Sequence, residues 1–200
     1  MRVTRAQAEQ NRRTVVATAG RLFREHGFNG IGLSDLMSAA GLTHGGFYKQ
    51  FGSKEDLQVE ACDTALAASA EKLSKVIENA EGDPFAALVG QYLSRAHRDN
   101  ISEGCAFAAL GADAGRHNKA LLRSFEAGIK NHLDLLQRAR GESSSSREAQ
   151  NDAVVALATM VGALLLSRAV HDEALSRQIL DAATGSLLKG KHARRRKSAK

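Results

Sequence analysis

Tryptophan is missing from this 200-residue chain, proline occurs once, as Pro84, and aromatic residues make up 4% of it. With so few helix breakers and 43% apolar residues, the composition fits a soluble, mostly helical protein large enough for a proper core. Two cysteines, Cys62 and Cys105, argue against a disulfide framework and suit a reducing cytoplasm. An apolar N-terminal segment with a cleavage site is also lacking, so secretion is not indicated. The most apolar run, Ala153 to Leu166, is broken only by Thr159 and at fourteen residues is too short to span a bilayer, so no membrane association is expected. The seven histidines (His26, His44, His97, His117, His132, His171, His192) make no H-x-x-x-H or Cys/His ligand spacing, which leaves a metal site unsupported. Phosphate-cradling G-x-x-x-x-G-K-[ST], nucleophile-elbow G-x-S-x-G and paired-carboxylate patterns are absent, so neither a cofactor nor an enzyme site is expected.

What the chain does have is segregated charge. The total is +6, but residues 1–54 carry 8 Lys and Arg against 3 Asp and Glu, residues 55–188 carry 13 against 19, and residues 189–200 carry 7 against none. A cationic head therefore sits on an acidic body. Cationic heads suit phosphate, because neutralising phosphates releases condensed counterions, and an acidic body repels DNA and helps orient the head.

The head contains the most informative stretch, LSDLMSAAGLTHGGFYKQFGSKEDL, from Leu33 to Leu57. Ser34 precedes an apolar-periodic run (Leu36, Met37, Ala39, Ala40) and is placed to cap it, with Asp35 in the first turn. Gly41 supplies a left-handed stop. Thr43 is placed to cap a second short helix in which Phe47 and Phe51, four apart, share an inward face. His44, Gly45, Tyr48 and Lys49 occupy the other face, where glycine lets backbone approach phosphate and Tyr48 and Lys49 offer donors. Ser53 to Asp56 makes an S-x-x-D start for a long helix. It puts Lys54 in the first turn, where a nearby phosphate would account for a lysine that the helix dipole disfavours. Two helices joined by a short glycine-containing turn describe a helix-turn-helix; a buried helical hairpin without DNA remains the structural alternative.

Upstream, Val15, Ala19, Leu22 and Phe23 form one stripe of a helix from about Arg5 to His26, stopped by Gly27. Its polar side carries Arg12, Arg13, Arg21 and Arg24 as possible phosphate contacts, and Phe28, Ile31 and Leu33 plug the junction with the motif. Downstream, a long helix runs from Lys54 to about Ala80, and Asp83-Pro84 opens another to about Arg98. Helices follow over about Glu103–Ala112 and Asn118–Arg140. The GESSSS run at 141–146 reads as a loop, and Ser145 with Glu148 as a capping box. The helix through Ala153–Leu166 is apolar all round and must be buried on all sides, one against the body and one against a second subunit. A last helix, about Asp172 to Leu188, offers the stripe Leu175, Ile179, Ala182 and Ala183. Helices 146–170 and 172–188 thus form the expected homodimer interface, and paired heads would read half-sites about 34 Å apart.

The order from Val15 to Leu57, VVATAGRLFREHGFNG followed by the G-L-T-x-G-x-F-Y-x-x-F-x-S-K-x-x-L pattern, resembles the TetR/AcrR family of transcriptional regulators. That resemblance implies an all-α fold of about nine helices: a three-helix helix-turn-helix DNA-binding head at 1–53 and a larger effector-binding and dimerisation body at 54–188. It places Ser34, Thr43, His44, Gly45, Tyr48, Lys49 and Lys54 on a palindromic double-stranded DNA operator, with Phe47 and Phe51 in the head core. It also implies release by a small-molecule effector. In one branch of the family a Gly-Cys pair like Gly104-Cys105 opens a short helix.

The body names no ligand. Phe85, Tyr92, Cys105, Phe107, Phe125, Ile129, His132 and Met160 are candidate lining for an effector pocket suited to an apolar or aromatic molecule, with Arg95 or Arg98 as a partner for a carboxylate. Cys105, at a helix N-terminus, has the position of a redox- or electrophile-sensing thiol, although no basic residue lies within a turn of it in sequence and packing explains it as well. Cys62 reads as inert packing. The tail 189–200, KGKHARRRKSAK, is aperiodic and cationic, which predicts a disordered segment adding modest non-specific DNA affinity. The functional expectation is a repressor that leaves DNA on binding its effector, with a Cys105-based sensor and a helical scaffold without DNA as alternatives.

Overall fold

A computed structural model describes residues 4–116, 119–141 and 146–198, with side chains through Lys189. The described residues form nine α-helices and one 3-10 helix and contain no strand. They are α1 (Arg5–His26), α2 (Leu33–Ala39), the 3-10 helix (His44–Lys49), α3 (Lys54–Glu78), α4 (Pro84–Tyr92), α5 (Arg95–Asp99), α6 (Ala106–Ala114), α7 (Lys119–Arg140), α8 (Arg147–Arg168) and α9 (Glu173–Ser198). The chain divides into two compact units, Met1–Ser69 with Ile101–Gly128, and Ala70–Asn100 with Ile129–Lys200.

In the first unit, α1 starts where Thr4 accepts a bond from the Gln7 amide and stops at Gly27, whose φ of 75° is open to glycine alone at little cost. Val15, Ala19, Phe23, Phe28, Leu36, Met37, Phe47 and Leu57 are buried and make the head core. Phe23 and Phe28 meet edge to face at 5.4 Å. Each such side chain contributes about 1.5–3 kcal/mol by burial. α2 begins two residues earlier than a Ser34 cap predicts. Gly32 occupies the N-cap, and Ser34 lies exposed in the first turn without capping. Gly41, φ 71°, turns the chain as expected.

In the second unit, Asp83 caps α4 by accepting from the Phe85 amide at 3.0 Å, with Pro84 at the first turn. The helix expected to reach Arg98 breaks at Leu93-Ser94, because the Ser94 hydroxyl caps a new helix, α5, by accepting from the His97 amide at 3.2 Å. Phe85, Leu88, Val89 and Tyr92 are buried in this unit, as are Leu135, Leu136, Ala153, Ala156, Leu157, Met160, Leu164 and Leu180. The cap of α8 is Ser146, which accepts from the Ala149 amide; Ser145, the expected cap, lies outside the described residues. Polar bonds lock the ends together: Arg168 donates to the carbonyls of Arg98 (2.9 Å) and His97 (2.7 Å), satisfying the C-terminus of α5. The Ser176 hydroxyl donates to the Ser167 carbonyl at 2.7 Å.

Two further expectations are corrected. Residues 189–198 of the basic tail are not irregular: α9 continues to Ser198, as a run of Lys, Arg, Ala and His without proline allows, since these residues include good helix formers. α8 is also longer than its apolar core, at 22 residues, and by length and composition alone would suffice to cross a membrane, with 39% of that window buried. Its other contacts are those of a packed helix: Ala149, Ala153, Ala156, Leu157, Met160, Ala163, Leu164 and Ser167 are covered, and α9 lies alongside it.

Candidate nucleic-acid interface

The helix after the Gly41 turn is a 3-10 helix of six residues rather than an α-helix. Two adjacent glycines weaken α-helix propagation, six residues scarcely repay nucleation, and the tighter 3-10 turn is the form short pieces adopt. Thr43 holds the N-cap backbone position without a side-chain bond. The division of faces is as the spacing predicts. Phe47 and Phe51 are buried and stack at 5.3 Å between centroids. Thr43, His44, Gly45, Tyr48 and Lys49 are exposed. Tyr48, 66% exposed, stands edge to face against Phe47 (5.2 Å) and His44 (6.0 Å), so an outward ring is held in place by its neighbours. Beyond Gly45 a Cβ would meet nothing within 4 Å.

Lys54, half-buried, donates from Nζ to the Ile31 carbonyl at 2.7 Å, which accounts for a lysine in the first turn of α3 and leaves two ammonium protons for other partners. Ser53 caps that helix by accepting from the Asp56 amide at 3.0 Å. Of the arginines of α1, Arg5, Arg13 and Arg21 are exposed, whereas Arg24 is committed within the protein. Arg24 is buried, donates to the Ser102 carbonyl and lies 3.9 Å from Glu103, which also meets Arg21 at 3.9 Å. Burial pulls the Arg24 guanidinium below its usual range, opposed first by Glu103 and then by the sulfurs of Cys62 and Cys105. The positive neighbour that Cys105 lacks in sequence is thus supplied in space, by a residue of another helix. Cys105 itself is buried at the N-cap of α6. Burial pushes the Cys62 thiol up to about 12 and keeps it an unreactive hydrophobe.

The eight residues proposed to line an effector pocket fall into both units. In the first, Phe107 and Phe125 meet edge to face at 5.9 Å and Cys105 is buried. In the second, Phe85, Tyr92, His132 and Met160 are buried, whereas Ile129 is 40% exposed on α7. Phe85 lies under the Arg140 guanidinium at 4.0 Å, and Tyr92 packs on His97 at 4.8 Å. Arg98 is spent on Asp99 (2.7 Å) and Glu173 (2.9 Å), not left for a ligand. A recess of about 330 Å³ opens beside Gly82, Asp83, Pro84 and Arg138–Gly141; Phe85, which follows Pro84 and lies under Arg140, adjoins it, but none of the eight residues expected to line a pocket is among those that form it.

An exposed donor face on a short helix anchored by two buried phenylalanines is the geometry of a helix-turn-helix reader. Residues 15–61 match the family model described as bacterial regulatory proteins, tetR family. The helix-turn-helix segment is that of the TetR family. It is 28% identical over 131 residues to the transcriptional repressor NemR of Escherichia coli, a match that spans 64% of this chain and 66% of that one. The reduced form of Escherichia coli NemR superposes with a TM-score of 0.75 at 25% identity, over 89% of this chain and 95% of that structure. A TetR regulator from Chloroflexus aurantiacus gives 0.75 at 27% identity over 91% and 94%. An uncharacterised helix-turn-helix regulator of Mycobacterium tuberculosis is 29% identical over 80% of this chain and 86% of its own length. These relatives are described as transcriptional regulators, and the match to NemR spans a little under two thirds of that protein's length.

Proposed function

We propose that this protein is a cytoplasmic TetR-family repressor that binds a palindromic operator as a homodimer and leaves it when a small molecule enters the helical body. The observation that carries the DNA-binding reading is the two-sided 3-10 helix, with Phe47 and Phe51 inside and His44, Gly45, Tyr48 and Lys49 outside. Ser34, Thr43 and Lys54 complete the contact set. The deciding experiment replaces Tyr48 and Lys49 together by alanine and measures binding to a duplex selected by the wild-type protein from a randomised pool. Both side chains are exposed, so thermal unfolding stays put while binding is lost; retained sequence-specific binding refutes the site.

Dimerisation is supported by what α8 leaves uncovered. Val154, Val155, Leu165 and Leu166 are 43–60% exposed at helical spacing, and Leu175 of α9 is 42% exposed. A helix apolar all round but covered on one side calls for a second subunit. Effector release follows as a population shift: a ligand favouring the body conformation with misplaced heads weakens DNA binding by the factor that DNA weakens the ligand. The buried aromatic residues favour a largely apolar or aromatic molecule.

A second reading, a thiol sensor at Cys105, is favoured by the helix N-terminus at which it stands and by Arg24 acting on its sulfur. Cys105→Ser separates the two: inducer response lost with DNA binding intact supports the sensor, and an unchanged response returns Cys105 to packing.

A further inference from the structure

Arg12 was counted from the sequence among the cations facing phosphate, and the structure uses it otherwise. Its Nε donates to Glu60 Oε1 at 3.2 Å and its Nη2 to Glu60 Oε2, a bidentate pair between α1 and α3. Its Nη1 donates to the carbonyl of Gln50, the residue that ends the 3-10 helix. The flat face of the guanidinium lies 4.2 Å over the Phe51 ring. One side chain therefore holds the C-terminal end of the 3-10 helix, the aromatic residue beneath it and α3 in a single register. Apart from the packing of Phe47 and Phe51, that helix has little to fix it: six residues, two glycines, and no side-chain bond at its N-cap. Glu60 also cancels the charge that a phosphate would need, and three of the five guanidinium protons are spent inside the head.

We propose that Arg12 is a positioning residue that sets the pose of the recognition helix through Gln50, Phe51 and Glu60, and is not a phosphate ligand. The proposal rests on the DNA-binding reading for its effect on affinity, but not for its effect on the head. Lysine discriminates between the roles, since it keeps the charge that phosphate needs and loses both the fork that grips Glu60 and the flat face over Phe51. Glu60→Gln discriminates from the other side: removing an anion from the head strengthens binding if simple charge decides, and weakens it if the clamp does.

The test uses the full-length protein with Arg12→Lys, Arg12→Gln, Glu60→Gln and the double variant Arg12→Gln/Glu60→Gln. Affinity for the duplex selected by the wild-type protein is measured over a range of salt, and amide hydrogen exchange is measured without DNA. The clamp predicts about tenfold weaker binding for each single variant, with the double variant no worse than the singles. The dependence of affinity on salt stays unchanged, whereas a lost phosphate contact lowers its slope by about 0.9. Exchange over residues 47–51 accelerates by about tenfold while α8 keeps its protection. Wild-type affinity for Arg12→Lys, tighter binding for Glu60→Gln, a reduced salt slope or unaltered exchange at 47–51 overturns the clamp. If the wild-type protein selects no duplex, the DNA reading fails by itself, and the exchange rates still decide for or against the clamp.

Discussion

Gly45→Ala separates what the recognition helix needs for folding from what it needs for function. The backbone there has no positive φ, and a methyl group at this position would meet nothing within 4 Å, so the native fold accepts it. Reduced freedom of the unfolded chain then stabilises the variant by about 0.4–1 kcal/mol. For a chain of this size that raises the melting temperature by roughly 1–4 °C. On DNA the effect reverses. First-turn amides of a helix have no intrahelical acceptor and can donate to phosphate, a charge-assisted bond worth about 1.5–3 kcal/mol. A methyl group on the approaching surface holds the backbone off by more than the tolerance of such a bond. Two heads per dimer double the loss, so binding to the selected duplex weakens by at least about a hundredfold. Calorimetry and fluorescence anisotropy on the same preparation read both signs. A variant that is more stable and binds as tightly as the wild type shows that Gly45 does not face the DNA backbone.

Val155→Glu with Leu166→Glu places two charges on the uncovered stripe of α8, which are 60% and 54% exposed in the single chain. Sedimentation velocity then shows a folded monomer with lost operator affinity; an unchanged dimer moves the interface elsewhere. His97 makes stability pH-dependent. Burial holds its pKa below the ordinary value, with the Tyr92 carbonyl, which its Nδ1–H meets at 2.6 Å, acting the other way and Arg168 and Lys72 lowering it further. The native fold thus prefers the neutral ring: stability is full above about pH 6.5 and falls as pH drops below it, where the unfolded chain takes up the proton first. Thermal unfolding between pH 7.5 and 5.5 reads this, and His97→Gln flattens the difference; an equal slope in wild type and variant assigns the effect to other groups.

Much of the head was legible in the sequence because its rules are local. The bounds of α1, the stops at Gly27 and Gly41, the Ser53 cap and the inward placing of Phe47 and Phe51 follow from capping and from residues three or four apart. Where local signals competed, the reading slipped: Ser34 for the Gly32 cap, Ser145 for Ser146, one helix where Ser94 starts a second. The 3-10 form of the recognition helix was not legible either, since the i to i+4 spacing of Phe47 and Phe51 suits an α-helix, whereas the 3-10 helix ends at Lys49, before Phe51.

Sequence by itself determined the helical class, the sign of charge on each part and the residues that face outward from the recognition helix, because periodicity and composition depend on near neighbours. Tertiary structure decided which cations are available to DNA. Arg12 and Glu60 lie 48 positions apart, and Arg24 and Ser102 lie 78 apart. No local pattern couples such pairs, and a count of charges treats each arginine as free. Only packing shows that these guanidinium groups are spent within the protein, and that the same packing brings a positive charge to Cys105. The head is cationic by sequence; which of its cations remain for phosphate is a property of the fold.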